Sequence, residues 1–86
     1  MNELSILPNI GKVLADKLEM VDISTPAQLK AIGSEDAFIR LATLDETACL
    51  NMLYALEGAI QGIRWHNLST ERKKELSEFF HFCKKK

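Results

Sequence analysis

The sequence predicts an all-α, five-helix compact domain in which two similar helix-hairpin-helix-like units pack on a long central helix. Apolar residues recur at spacings of three and four, as on the buried face of a helix. β-branched residues never alternate with polar ones over a strand length. Clear start and stop signals divide the chain into segments of helical length. The 86 residues, 47% of them hydrophobic, suffice for one domain, read as 1–86, with a modest core that needs neither metal nor disulfide.

Ile10, Val13, Leu14, Leu18 and Val21 form the stripe of a first helix beginning near Asn9. Asp22 to Pro26 make a turn and a new start, with Ser24 or Thr25 as cap and Pro26 in the first turn, where its missing N–H has no intrahelical role. The short helix that follows runs to about Ile32. Gly33 closes it, and Ser34 with Glu35 and Asp36 opens the next, whose inward residues are Ala37, Phe38 and Leu41.

Thr43 and Glu46 read as a capping box for the longest helix, extending to about Gln61. Cys49, Met52, Leu53, Leu56, Ile60 and Ile63 form its stripe, widened by Leu50, Tyr54, Ala55 and Ala59, so this helix must be covered on several sides. A mid-helix glycine costs about 1 kcal/mol relative to alanine, so Gly58 implies a neighbour that needs the space. With Gly62 it forms a smooth stripe suited to close packing. Trp65 plugs the core edge in a short connection. A last helix after Ser69 buries Leu76, Phe79, Phe80 and Cys83 and leaves Arg72, Lys73, Glu75 and Glu78 largely in water.

The formal net charge of −1 conceals an asymmetry. Residues 1–60 hold four basic and nine acidic side chains, net −5, whereas 61–86 hold seven basic and three acidic, net +4. A uniformly basic nucleic-acid-binding surface is excluded. The basic end suits either an acidic partner or the carbonyl end of the last helix. Cys49 and Cys83 lie in apolar helical patterns and are expected to be buried thiols in a reducing cytoplasm. His81 and Cys83 point about 200° apart on a helix, so no metal site is expected, and no cofactor motif is present. The apolar stretch from Ala48 to Ile63 is too short and too interrupted to span a membrane.

LPNIGKVLAD from Leu7 and LKAIGSEDAF from Leu29 share L-x-x-I-G-x-x-x-A, so that Leu7, Ile10, Gly11 and Ala15 recur as Leu29, Ile32, Gly33 and Ala37. In each unit the Leu and Ile hold a bend, the Gly permits a conformation that other residues resist, and the Ala admits a neighbouring helix. LPNIGK resembles the helix-hairpin-helix motif, which presents main-chain N–H groups at a helix start to a phosphate. The resemblance places Asn9, Ile10, Gly11 and Lys12 at a candidate nucleic-acid contact, with Asn9 where the family hairpin carries glycine. Ser34, Glu35 and Asp36 occupy the phosphate position of the second unit, where carboxylates would repel an anion.

From about Leu4 to Lys74 the chain resembles the C-terminal domain of the TfoX (Sxy) family of bacterial competence regulators. Three blocks carry the resemblance: LPNIGKVLADKL, DISTPAQLKAIGSEDAFIRL and LNMLYALEGAIQGIRWHNL, the last with its Asn51, Tyr54, Glu57, Gly58, Gly62, Arg64 and Trp65. It implies a role in expression of DNA-uptake genes alongside a cyclic-AMP receptor protein. Full-length members carry a further N-terminal domain, so this chain is expected to be a free-standing paralogue or an isolated domain. A noncatalytic protein-interaction module is the leading expectation. Direct DNA binding through Pro8 to Lys12 is the alternative, and self-association into a homo-oligomer stays open. An enzyme is the least expected class, since no nucleophile with a nearby base is visible. Tyr54, Glu57 and Arg64 are read as structural, with Glu57 and Arg64 bracketing the Gly58 stripe.

Overall fold

In the computed structural model, which describes residues 3–84, the chain is all-α, with five α-helices and two 3-10 turns. After a 3-10 turn at Glu3–Ile6 come α1 (Lys12–Met20), α2 (Pro26–Ile32), α3 (Ser34–Leu44) and α4 (Leu50–Gln61). A second 3-10 turn at Trp65–Asn67 leads to α5 (Thr70–Lys84). Leu4, Leu18, Ile23, Leu29, Phe38, Leu41, Leu53, Leu56 and Leu76 are fully buried in one core. Each of these side chains contributes roughly 1.5–3 kcal/mol of transfer free energy relative to exposure, so every helix is held by at least one large anchor.

Helix α1 starts at Lys12 rather than near Asn9. Asn9 takes a left-handed conformation, φ 70°, which helices of L-residues do not propagate. Val13, expected in the buried stripe, is 70% exposed. The buried line passes through Ala15 and Leu18, and Val13 lies about 200° around the helix from Ala15. At the other end Asp22 takes the left-handed position, φ 67°, and the Ile23 N–H donates to the Leu18 carbonyl at 2.9 Å. This is the Schellman closure, with an aspartate where glycine is commoner, and it carries Ile23 into the core.

Thr25 is the cap of α2: its Oγ1 accepts the Gln28 N–H at 3.1 Å, while Gln28 Oε1 accepts the Ser24 N–H at 2.7 Å. Gly33, φ 88° and ψ 160°, ends α2 and begins α3 in a single residue. That conformation is reserved for glycine, and it permits an abrupt change of helix direction.

The Thr43–Glu46 capping box does not form. Thr43 lies within α3, where its hydroxyl donates to the Arg40 carbonyl at 2.6 Å. The chain leaves α3 through Asp45, whose Oδ1 accepts the Thr47 N–H at 2.9 Å, the short turn that aspartate side chains favour. Helix α4 begins only after Cys49, which is exposed rather than buried and provides no side-chain cap. With 12 residues α4 is shorter than α5, with 15, yet it is the most enclosed, burying Leu53, Ala55, Leu56, Glu57, Gly58 and Ala59 in succession.

Gly62 belongs to the end of α4, not to a packing stripe. It is left-handed, φ 75°, and the Ile63 N–H donates to the Gly58 carbonyl at 2.9 Å to complete a second Schellman closure. Space around Gly62 is open, whereas Gly58 is tightly enclosed. Helix α5 is started by Ser69, whose Oγ accepts the Arg72 N–H at 3.1 Å. It lies parallel to α3: Arg72 approaches Glu35, Phe80 packs on Phe38 with ring centroids 5.8 Å apart, and Cys83 and Thr43 border one groove.

Candidate functional site

The two repeat units place equivalent residues at equivalent positions. Gly11 precedes α1 and Gly33 precedes α3, and Ala15 and Ala37 are both buried one turn later. Their corners are built differently. Gly11 has ordinary extended geometry, φ −90°, so the conformation that other residues resist falls on Asn9 in the first unit and on Gly33 in the second.

The structure divides the four residues of the first corner into two kinds. Asn9 faces inward: Nδ2 donates to the Ile63 carbonyl at 2.9 Å and Oδ1 accepts the Trp65 N–H at 3.1 Å. Ile10 is buried, and its N–H is directed to the Leu7 carbonyl at 3.4 Å. Gly11 and Lys12 are exposed at the start of α1, which has no side-chain cap. They open onto a shallow cleft of ≈ 370 Å³ bordered also by Val13, Leu14, Lys17 and Met52. Lys17 is ion-paired with Asp45, whose carboxyl is held well below the usual range by bonds from Lys17 and Thr47. Lys12 is therefore the more available of the two cations, and most of the cleft lining is apolar.

At the second corner the start of α3 meets a carboxylate of the chain itself. Ser34, 3% exposed, donates its hydroxyl to Glu57 Oε1 at 2.6 Å. Glu57 also accepts from Gln61 Nε2 at 2.6 Å and from Arg72 Nη2 at 3.0 Å. Arg72 reaches Glu75 at 3.1 Å and Glu35 at 3.7 Å. Burial pushes the Glu57 carboxyl up, but the bonds from Arg72, Ser34 and Gln61 and the guanidinium charge outweigh it, so its pKa lies below the ordinary glutamate value. The same bond to Glu57 pushes the Arg72 pKa up against the opposing effect of burial. The anion position at this corner is filled from within, and Glu35 and Asp36 border the remaining cleft of ≈ 170 Å³.

The partner of Glu57 is thus Arg72 and not Arg64, which is exposed in the connection after α4. Arg72, expected in water, ties α5 to α3 and α4. The sequence signal for this network is a single carboxylate within the widest apolar face of the chain, between Leu56 and Ile60. A buried charge requires a partner, but the partner lies 15 residues away on another helix. Trp65 is half-buried at the core edge, stacked on Tyr54 at 5.7 Å and on His66 at 3.9 Å. Among the described residues no group of His, Cys, Asp and Glu side chains is placed to hold a metal, and no helix is long and apolar enough to cross a membrane.

Comparison with known proteins agrees with this architecture. A crystal structure of an uncharacterized protein from Listeria monocytogenes, in a triclinic form, superposes with a TM-score of 0.93 at 51% identity, covering 94% of this chain and 92% of that one. A tetragonal crystal structure of a protein of unknown function from the same organism gives 0.91 at 51% identity, covering 93% and 98%. No match is found among curated proteins. The sequence pattern of the TfoX C-terminal domain matches residues 1–80. With that match over nearly the whole length, the chain belongs to the TfoX C-terminal domain family.

Proposed function

We propose that this domain is a noncatalytic protein-contact module of competence-type transcriptional regulation in the bacterial cytoplasm, engaging a DNA-bound regulator of the cyclic-AMP receptor protein kind through its first corner. The observation that carries this reading is the contrast between the corners. One is sealed by Glu57 and Arg72; the other is open, with Val13, Leu14 and Met52 beside the exposed Lys12. An apolar cleft with one cation at its rim suits a protein side chain with an acidic neighbour better than it suits a run of phosphates, which demands several cations. The family match supports the regulatory setting.

Titration calorimetry of the domain with the purified receptor protein tests it. The expected result is saturable binding that Lys12→Glu and Val13→Asp each weaken by about tenfold, the equivalent of roughly 1.4 kcal/mol. Absence of binding at submillimolar concentration rejects the proposed partner. The exposed Gly11 and Lys12 at an uncapped helix start favour direct DNA binding as the second reading. That reading requires a gel shift with naked duplex at low salt, a steep loss of affinity as salt rises, and loss of the shift in Lys12→Glu.

A further inference from the structure

The parallel pair α3 and α5 leaves an apolar groove that the reading above does not use. Its volume is ≈ 310 Å³, and Phe38, Ile39, Ala42, Phe79, Phe82 and Cys83 border it. Phe82 is 65% exposed and Ile39 43% exposed, and Leu44, 53% exposed, follows at the end of α3. Large apolar side chains gathered on one face of so small a protein mark a contact surface.

We propose that this face is a self-association surface, and that its occupant is a second copy of this chain related by a two-fold axis. The argument for that occupant is the polarity of the groove. At the end where α3 begins lie Glu35, Asp36, Glu75 and Glu78, with Arg72 the cation committed among them. At the opposite end α5 finishes at Lys84 and the sequence continues with Lys85 and Lys86, against Glu46; Asp45 is already paired with Lys17. Because α3 and α5 run in the same direction, a two-fold axis perpendicular to them sets each pair antiparallel to its mate. The acidic end of one copy then meets the lysine end of the other, twice, while Ile39 and Phe82 of the two copies meet across the middle. A single surface that is its own complement is what an isologous contact requires. The division of charge between the two parts of the sequence acquires a use in this arrangement.

Light scattering in reducing buffer, which removes any contribution from Cys83 disulfides, tests the proposal. The expected result is a concentration-dependent rise from the 9.7 kDa monomer to twice that mass at submillimolar concentration. Phe82→Glu and Ile39→Lys, both at exposed positions and checked for unchanged helicity by circular dichroism, should each weaken association at least tenfold. Two charge-reversed chains give the decisive comparison: Asp36→Lys with Glu78→Lys in one, Lys84→Glu with Lys85→Glu in the other. Each alone should be monomeric, and an equimolar mixture should dimerise. A wild-type chain that stays monomeric overturns the proposal, even if the groove takes up a helix of another protein. So does a folded Phe82→Glu variant that still dimerises, or a mixture of reversed chains that fails to pair.

Discussion

The side-chain amide of Asn9 occupies the space that a side chain on Gly58 would need: a Cβ built at position 58 would lie 2.5 Å from Asn9 Nδ2. It would also lie 2.8 Å from the Ile63 carbonyl oxygen and 3.1 Å from the Trp65 Cα. One clasp therefore fastens the first corner to the end of α4, and it needs an asparagine on one side and no side chain on the other.

Gly58→Ala should destabilise the domain although alanine is the better helix former. The propensity gain is about 1 kcal/mol, whereas backbone atoms at such distances must move and the clasp must open. A net loss of about 1–3 kcal/mol is expected in urea unfolding. Gly62→Ala is the control. It meets nothing within 4 Å and carries only the left-handed penalty of φ 75°, roughly 1 kcal/mol.

Substitutions at Asn9 should separate its two contributions. Asn9→Gly retains the left-handed backbone but loses both hydrogen bonds, for about 1 kcal/mol; Asn9→Ala adds backbone strain, for about 2 kcal/mol in total. Equal losses for the two variants would show that the φ of 70° carries no cost.

Removing one member of the Glu57–Arg72 pair should be more damaging than removing an ordinary surface charge. Glu57→Ala strands the Ser34 hydroxyl and the half-buried guanidinium, and about 2–3 kcal/mol of stability should be lost. The double variant Glu57→Ala with Arg72→Ala should lose less than the two single losses summed, which a double-mutant cycle measures directly.

Stability should fall in acid for a reason specific to Glu57. Its folded pKa is depressed relative to the unfolded value of about 4.3. The unfolded state therefore takes up the proton first, so the contribution is complete above that value and is lost as pH falls through the lower folded one. Asp45, also depressed, acts in the same direction. Thermal unfolding followed from pH 7 into acid should show a smaller drop in Glu57→Gln than in the wild type.

The two thiols should differ in accessibility. Cys49 is exposed ahead of α4, while Cys83 is partly covered in the α3/α5 groove. A thiol-reactive dye under native conditions should label Cys49 first, and dimerisation through the groove should slow Cys83 further.

The sequence by itself determined the helical architecture, the two repeated corners and most of the core. Helical spacing of Leu and Ile, Pro26 at a helix start and the invertible φ of Gly33 are local properties that hold wherever the segment sits. It also exposed Gly58 as a position whose cost required a neighbour. Local signals failed where two of them competed. Thr43 and Glu46 have the spacing of a capping box, but Ala42 and Leu41 carry α3 onward and Asp45 supplies a stronger turn. Only the tertiary structure decided that Asn9 is a clasp, that Glu57 is paired with Arg72 and that one corner is closed while its repeat stays open. Those outcomes depend on groups 15 to 56 residues apart in the chain, which are brought within hydrogen-bonding distance by the packing of the helices. Periodicity records which face of a helix is apolar, not which helix will cover it.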